Sequence, residues 1–179
     1  MISTQNLKDY NTIRLAGVVR ESIVDGPGLR FTVFCQGCPH GCEGCHNPAT
    51  HDFEGGYDCE ISKIIAAVDE NPLLDGVTFS GGEPMCQPEA FTVLAGELKK
   101  RNLNIMVYTG YTYEELLRLV ETRPAVGKLL ELTDYLVDGR FILAQRDLTL
   151  PFRGSTNQRI LDMKQTLAAG KPVLAEKYL

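Results

Sequence analysis

Strand-like and helix-like segments alternate along most of this chain, and that alternation restricts the fold more than any other feature of the sequence. β-Branched and apolar runs at 12–19 (TIRLAGVV) and 29–34 (LRFTVF) predict two strands separated by the turn-rich VDGPG segment. Asp58 stands where it could cap a helix formed by ISKIIAAVDEN, which stops before Pro72. GVTFS at 76–80 predicts a strand and PEAFTVLAGELKKRN a helix, whose last turn carries Lys99, Lys100 and Arg101. Cations there complement the helix dipole and need no nucleic-acid partner. NIMVY, YEELLRLVET and TDYLVD continue as strand, helix and strand, and QRDLTLPFRGSTNQ reads as loop. RILDMKQTLAAG predicts a last helix before a short C-terminal strand. Such a pattern implies a mostly parallel α/β sheet. With 179 residues the chain falls short of the ~250 typical of a complete eightfold barrel. A partial, incomplete TIM-like β/α barrel in a single domain over 1–179 is therefore expected.

Composition narrows the function classes. A net charge of −5 with 23% charged residues offers no attraction to phosphate backbones or anionic lipid, so neither nucleic acid nor a membrane surface is an expected partner. The N-terminus lacks the pattern of a secretory signal, and no apolar run approaches the ~18 residues that span a bilayer, which points to the cytoplasm. In a reducing compartment six cysteines are not disulfide staples, and four of them fall between 35 and 45. Ligation of a metal or cluster is the leading explanation.

In FCQGCPHGCEGCHNPA the spacing Cys38-x3-Cys42-x2-Cys45 sets three thiolates on one short loop, suited to three corners of a 4Fe-4S cube. A fourth iron without a cysteine could chelate the amino and carboxylate groups of S-adenosylmethionine (SAM), whose reductive cleavage yields a 5′-deoxyadenosyl radical. Zinc held by the pairs Cys35/Cys38 and Cys42/Cys45 is disfavoured, because zinc modules place a longer loop between pairs. A ferredoxin using Cys35 as fourth ligand would not need so large an α/β body. Cys35, at a strand end, reads as a small buried residue, and structural roles are expected for Cys59 and Cys86. His40 and His46 lie in or beside the loop, and a solvated role is favoured for each.

GVTFSGGEP places Gly81, Gly82 and Glu83 at the C-terminal end of a predicted strand, the face on which α/β barrels build their sites. Two glycines let the backbone approach a ligand closely, and main-chain groups with Glu83 could hold the SAM amino group. CPHGCEGC together with SGGEP resembles the radical SAM superfamily. VDGPGLRFTVFCQGC, CHNPATH, VYTGYTYEEL, YLVDGRF and FRGSTNQRI closely resemble the activating proteins of anaerobic (class III) ribonucleoside-triphosphate reductases, over a core from about Arg14 to Met163.

That resemblance implies a radical SAM oxidoreductase with one 4Fe-4S cluster per chain. It would generate a glycyl radical on the large subunit of the reductase, with reduced flavodoxin or ferredoxin as electron donor. Residue by residue it implies Cys38, Cys42 and Cys45 as cluster ligands and Gly81, Gly82 and Glu83 as the SAM amino-group site. Thr109, Asp138 and Asn157 match polar positions at later strand ends that contact the SAM ribose or carboxylate, although each also suits a cap or turn. Asp25, in the DGPG loop, is implied to face the glycine-bearing loop of the partner, with a rigid turn as the competing role. Gly44 departs from the aromatic residue that many superfamily members carry there. The alternatives are an activase of pyruvate formate-lyase, a small-molecule radical SAM enzyme such as the deazaguanine-forming synthase, and a non-catalytic iron-sulfur or zinc module.

Overall fold

A strand delivers alternate side chains to opposite sides of its sheet, and here the two sides have different chemistry. In the computed structural model, which describes residues 9–178, strand β2 (Arg30–Cys35) turns Phe31, Val33 and Cys35 into the main apolar core. Val77 and Phe79 of β4 (Gly76–Gly81) and Ile105 and Val107 of β5 (Asn104–Tyr108) join them there. That core is closed by helices α1 (Ile61–Asp69), α2 (Pro88–Lys99), α3 (Tyr113–Thr122) and α4 (Pro124–Leu132), which bury Ile64, Phe91, Leu116 and Leu129 in it. The intervening residues, Thr32, Thr78 and Ser80 among them, look to the other side, where loops replace helices. Residues 1–8 and 179 of the expected span lie outside the described residues, and so does most of the stretch read for a secretion signal.

The described residues form a mixed α/β structure on one seven-stranded sheet. Its order is β3-β1-β2-β4-β5-β6-β7, with β1 at Thr12–Ser22, β3 at Tyr57–Glu60, β6 at Tyr135–Asp138 and β7 at Arg159–Asp162. The sheet is less parallel than expected. Pairing is parallel from β2 through β4 and β5 to β6, whereas β1 pairs antiparallel with β2 and β3, and β7 antiparallel with β6.

Local reading failed where pairing partners are distant. Asp58 does not cap a helix: it lies in β3 opposite Arg14 of β1, and α1 begins three residues later. The RILD segment is strand and not helix, because pairing with β6 buries Ile160 and Leu161 fully on opposite sides of the sheet. Asp162 then caps α5 (Met163–Ala169), its side chain accepting from Gln165 N at 3.0 Å. The segment after α3 forms α4, with Pro124 in its first turn. Beyond α5 the expected strand is reduced to a bridge between Leu161 and Leu174. Among the described residues no helix is long and apolar enough to cross a membrane.

One buried cation locks the lower sheet. Arg30 is fully buried, and burial pulls its pKa down to about 10. Its Nε donates to Thr78 Oγ1 at 2.6 Å, Nη1 to Pro27 O at 3.1 Å, and Nη2 to Val77 O at 2.8 Å and Asn104 O at 3.1 Å. Thr78 Oγ1 in turn donates to Asp25 O at 2.7 Å. The guanidinium thus ties the DGPG loop to the starts of β4 and β5, and its own hydrogen bonds compensate its desolvation. Arg30→Leu, which leaves those oxygens without donors, is expected to lower unfolding free energy by about 3 kcal/mol, measured by urea denaturation; an unchanged midpoint would show the arginine is not needed.

Candidate functional site

Where β2 ends, the chain turns into the cysteine loop, and the base of that loop is stitched from both sides. Gly37 N donates to Thr50 O at 2.8 Å and Cys38 N to His51 O at 3.2 Å. The Gln36 side chain, nearly buried, donates to Ala49 O at 3.0 Å and Asp52 O at 2.6 Å. From the other side Gly82 N donates to Cys35 O and Glu83 N to Gly37 O, both at 2.8 Å. Gly81 and Gly82 are required for this approach. Gly81 sits at φ +93°, and a Cβ there would come within 2.7 Å of Cys35 N; at Gly82 it would meet Gly37 O at 2.4 Å.

On the side that α1 to α4 do not cover, these segments border a cavity of about 580 Å³. Cys38, Cys42, Cys45, Gly81, Gly82, Thr109 and Asp25 all line it, so seven of the ten residues singled out from sequence converge on one space. Asp25 Oδ2 accepts from Ser22 Oγ at 2.6 Å and Thr32 Oγ1 at 3.1 Å, which fixes its carboxylate on the wall. Thr109 Oγ1 accepts from Tyr111 N at 3.1 Å. Among the described residues none after Gln158 lines the cavity; the C-terminal Ala175 and Tyr178 pack instead on Met106, Val137 and Ile160.

Three expected site residues stand behind the wall. Asp138, 1% exposed, accepts from Tyr113 N at 2.8 Å and from Arg159, whose Nε lies 2.9 Å from Oδ1. Asp138 and then Glu114 hold the Arg159 guanidinium pKa far above its usual value. Asn157 Nδ2 donates to Arg140 O at 2.8 Å while its buried Oδ1 has no partner among the described residues. Glu83 is fully buried, its carboxylate accepting from Met85 N at 3.0 Å and Gly110 N at 2.9 Å and meeting His40 Nε2 at 2.7 Å. His40 is therefore not the solvated loop histidine expected from sequence. His46 also lines the cavity, its ring 5.0 Å from that of Phe141.

Sequence reading also passed over Arg153. It lines the cavity, and its buried Nε has no hydrogen-bond partner among the described residues. The preceding Phe152 has φ +54°, a left-handed backbone unusual for an aromatic residue. Its carbonyl accepts from Tyr108 Oη at 2.9 Å. The visible signal was the RGS tripeptide, in which Gly154 has no room for a side chain: a Cβ would meet the Phe141 ring at 2.9 Å.

Cys38, Cys42 and Cys45 all face the cavity, and among the described residues no three His, Cys, Asp or Glu side chains are placed to hold a single metal ion. Asn47 N donates to Cys45 Sγ at 3.4 Å, the type of contact that tunes a cluster thiolate. Cys35 is fully buried, and burial pushes its thiol pKa well above the usual value; burial also raises that of the half-buried Cys38. Burial likewise raises Cys86, to about 11.

The family model described as a 4Fe-4S single cluster domain matches residues 24–161. The anaerobic ribonucleoside-triphosphate reductase-activating protein of Vibrio cholerae is 38% identical over 148 residues, 77% of this chain and 90% of that protein. Those of Salmonella typhimurium and Escherichia coli are 36% and 34% identical over 146 residues, each match covering 76% of this chain and 90% of the relative. The chain belongs to this family of reductase-activating proteins. The structure sets the cysteine loop of this matched segment against the glycine turn after β4.

Because its carboxylate is spent inside the protein, Asp138 supports the wall of this activating protein without facing the cavity. Arg159→Met is expected to lower stability by about 3 kcal/mol by leaving a buried charge uncompensated. Thermal unfolding and iron content test this together: a lower melting temperature with unchanged iron per folded chain is expected, and loss of iron alone would place Asp138 in the site.

Proposed function

We propose that this chain is a radical SAM activase, acting with a 4Fe-4S cluster on Cys38, Cys42 and Cys45 to generate a glycyl radical on the large subunit of an anaerobic ribonucleoside-triphosphate reductase. The observation that carries the reading is the convergence of the three cysteines, the Gly81–Gly82 turn and Arg153 on one cavity of the sheet face that α1 to α4 do not cover. On this reading the sheet is an incomplete TIM-like β/α barrel of the radical SAM type, in one domain over 1–179 with its core at about 14–163. Cys38, Cys42 and Cys45 would hold the cluster, which when bound would supply the electron for reductive cleavage of SAM and so the hydrogen abstraction at the partner's glycine.

The chain's own residues bind, orient and exclude water. The backbone of Gly81 and Gly82 comes close enough to the cysteine loop to receive the SAM amino group. Arg153 has the unspent buried Nε and planar fork suited to a carboxylate such as that of SAM. Thr109 offers a polar edge to the ribose, while Asp138 and Asn157 act from behind the wall. At the DGPG loop, Asp25 lies beside Ile23 and Val24, which are 75% and 72% exposed and form an apolar surface fit for a protein loop. Reduced flavodoxin or ferredoxin is the proposed donor and the cytoplasm the proposed compartment.

Anaerobic mixing of the reconstituted chain with the reductase large subunit, SAM and a reductant is expected to give the glycyl doublet in electron paramagnetic resonance. A doublet that arises on pyruvate formate-lyase and not on the reductase would contradict the assignment.

A further inference from the structure

Glu83 belongs to a turn whose carboxylate the sequence directs to the cofactor, yet the side chain faces inward. It is fully buried, and both oxygens are spent on protein groups from three separate segments. Oε1 accepts from Met85 N at 3.0 Å, in its own turn. Oε2 accepts from Gly110 N at 2.9 Å, in the loop after β5, and meets His40 Nε2 at 2.7 Å, in the cysteine loop. His40 stands between Cys38 and Cys42 with its side chain 5% exposed, and its ring meets that of Tyr111 edge-on at 4.5 Å. Gly110 completes the fit, because a Cβ there would come within 2.3 Å of the His40 ring.

The cysteine loop needs such an anchor. Gly37, Gly41 and Gly44 all have positive φ, and between residues 39 and 46 the backbone hydrogen bond among described residues is that of Cys45 N to Cys42 O, at 3.2 Å. A segment with so little internal pairing is held in place by what it touches. His40 reaches from within it to a carboxylate that is itself fixed to two strand-end loops. We infer that Glu83 is a positioning residue: acting through His40, it sets the cysteine loop against the ends of β4 and β5 and so determines where Cys38 and Cys42 present their sulfurs, without touching SAM. What those sulfurs hold is taken from the proposed function; the anchoring itself is a property of the protein alone.

The test uses the full chain without its cluster. Hydrogen–deuterium exchange of residues 38–46 is compared between the unsubstituted protein, Glu83→Gln, His40→Leu and Gly110→Ala, and iron per chain and the resonance spectrum of the reduced cluster are then read after anaerobic reconstitution. Glu83→Gln turns an amide donor towards either Met85 N or Gly110 N, both of which need an acceptor, His40→Leu removes the loop's half of the tie, and Gly110→Ala pushes the ring aside without altering the carboxylate. Each is expected to speed exchange of the loop about tenfold or more, the scale of a lost buried hydrogen bond, with β2 amides unaffected. Less iron and a broadened spectrum should follow, and His40→Gln, which retains a donor, should recover part of both.

Loop exchange unchanged in His40→Leu and Gly110→Ala would overturn the inference even if Glu83→Gln failed to fold. So would a Glu83→Gln protein with normal loop exchange and iron but weakened SAM binding, because that outcome makes Glu83 a SAM ligand. An unsubstituted protein that takes up no iron would refute the radical SAM reading instead, and the exchange comparison would still decide the role of Glu83.

Discussion

A β-strand gives only every second side chain to the helices that cover it, and this molecule depends on how β2, β4 and β5 use the remainder. Phe31, Val33, Val77, Phe79, Ile105 and Val107 go to the helix-covered core. Their neighbours Thr32, Phe34, Thr78, Ser80 and Tyr108 are left to a side that four helices do not reach. That side is closed by loops and a C-terminal turn, and between them a cavity survives. Because β2 and β4 are parallel neighbours with Cys35 opposite Gly81, their C-terminal ends emerge together. The cysteine loop and the glycine turn therefore meet without a long connection.

Buried charge holds this arrangement at three levels of the wall. Arg30 fixes the DGPG loop below, Glu83 joins three loops above, and Asp138 with Arg159 braces the far side. Each ion would be costly to bury alone, and each has its hydrogen bonds supplied by fixed backbone groups or a counter-charge. Arg153 differs in this respect: Nη1 reaches Gln158 O at 3.5 Å, but its buried Nε has no partner among the described residues.

Much of this was legible in the sequence, for local reasons. NIMVY and YEELLRLVET coincide with β5 and α3, because apolar spacing and the Thr112 capping box act within a few residues. The three cysteines stood out by their spacing in a single loop, and that shared loop brings all three to the cavity. What escaped depends on partners far along the chain. The strand β3 is four mostly exposed residues that exist by pairing with β1, and β7 is strand because β6 lies beside it. Glu83 was placed correctly at a strand end, but its partners His40 and Gly110 are 43 and 27 residues away. No local pattern announces such a contact, so the sequence does not show that this carboxylate is bonded to groups of the protein itself.

The chemistry ascribed to the site requires that protein thiolates hold three corners of a cluster and leave one iron for SAM. Mössbauer spectroscopy of the anaerobically reconstituted protein, recorded with and without SAM, examines that directly. A 4Fe-4S spectrum is expected in which a single iron shifts on SAM addition towards values typical of nitrogen and oxygen ligation, the rest staying sulfur-bound. Four sulfur-ligated irons indifferent to SAM, or a preparation that retains no iron, would contradict it.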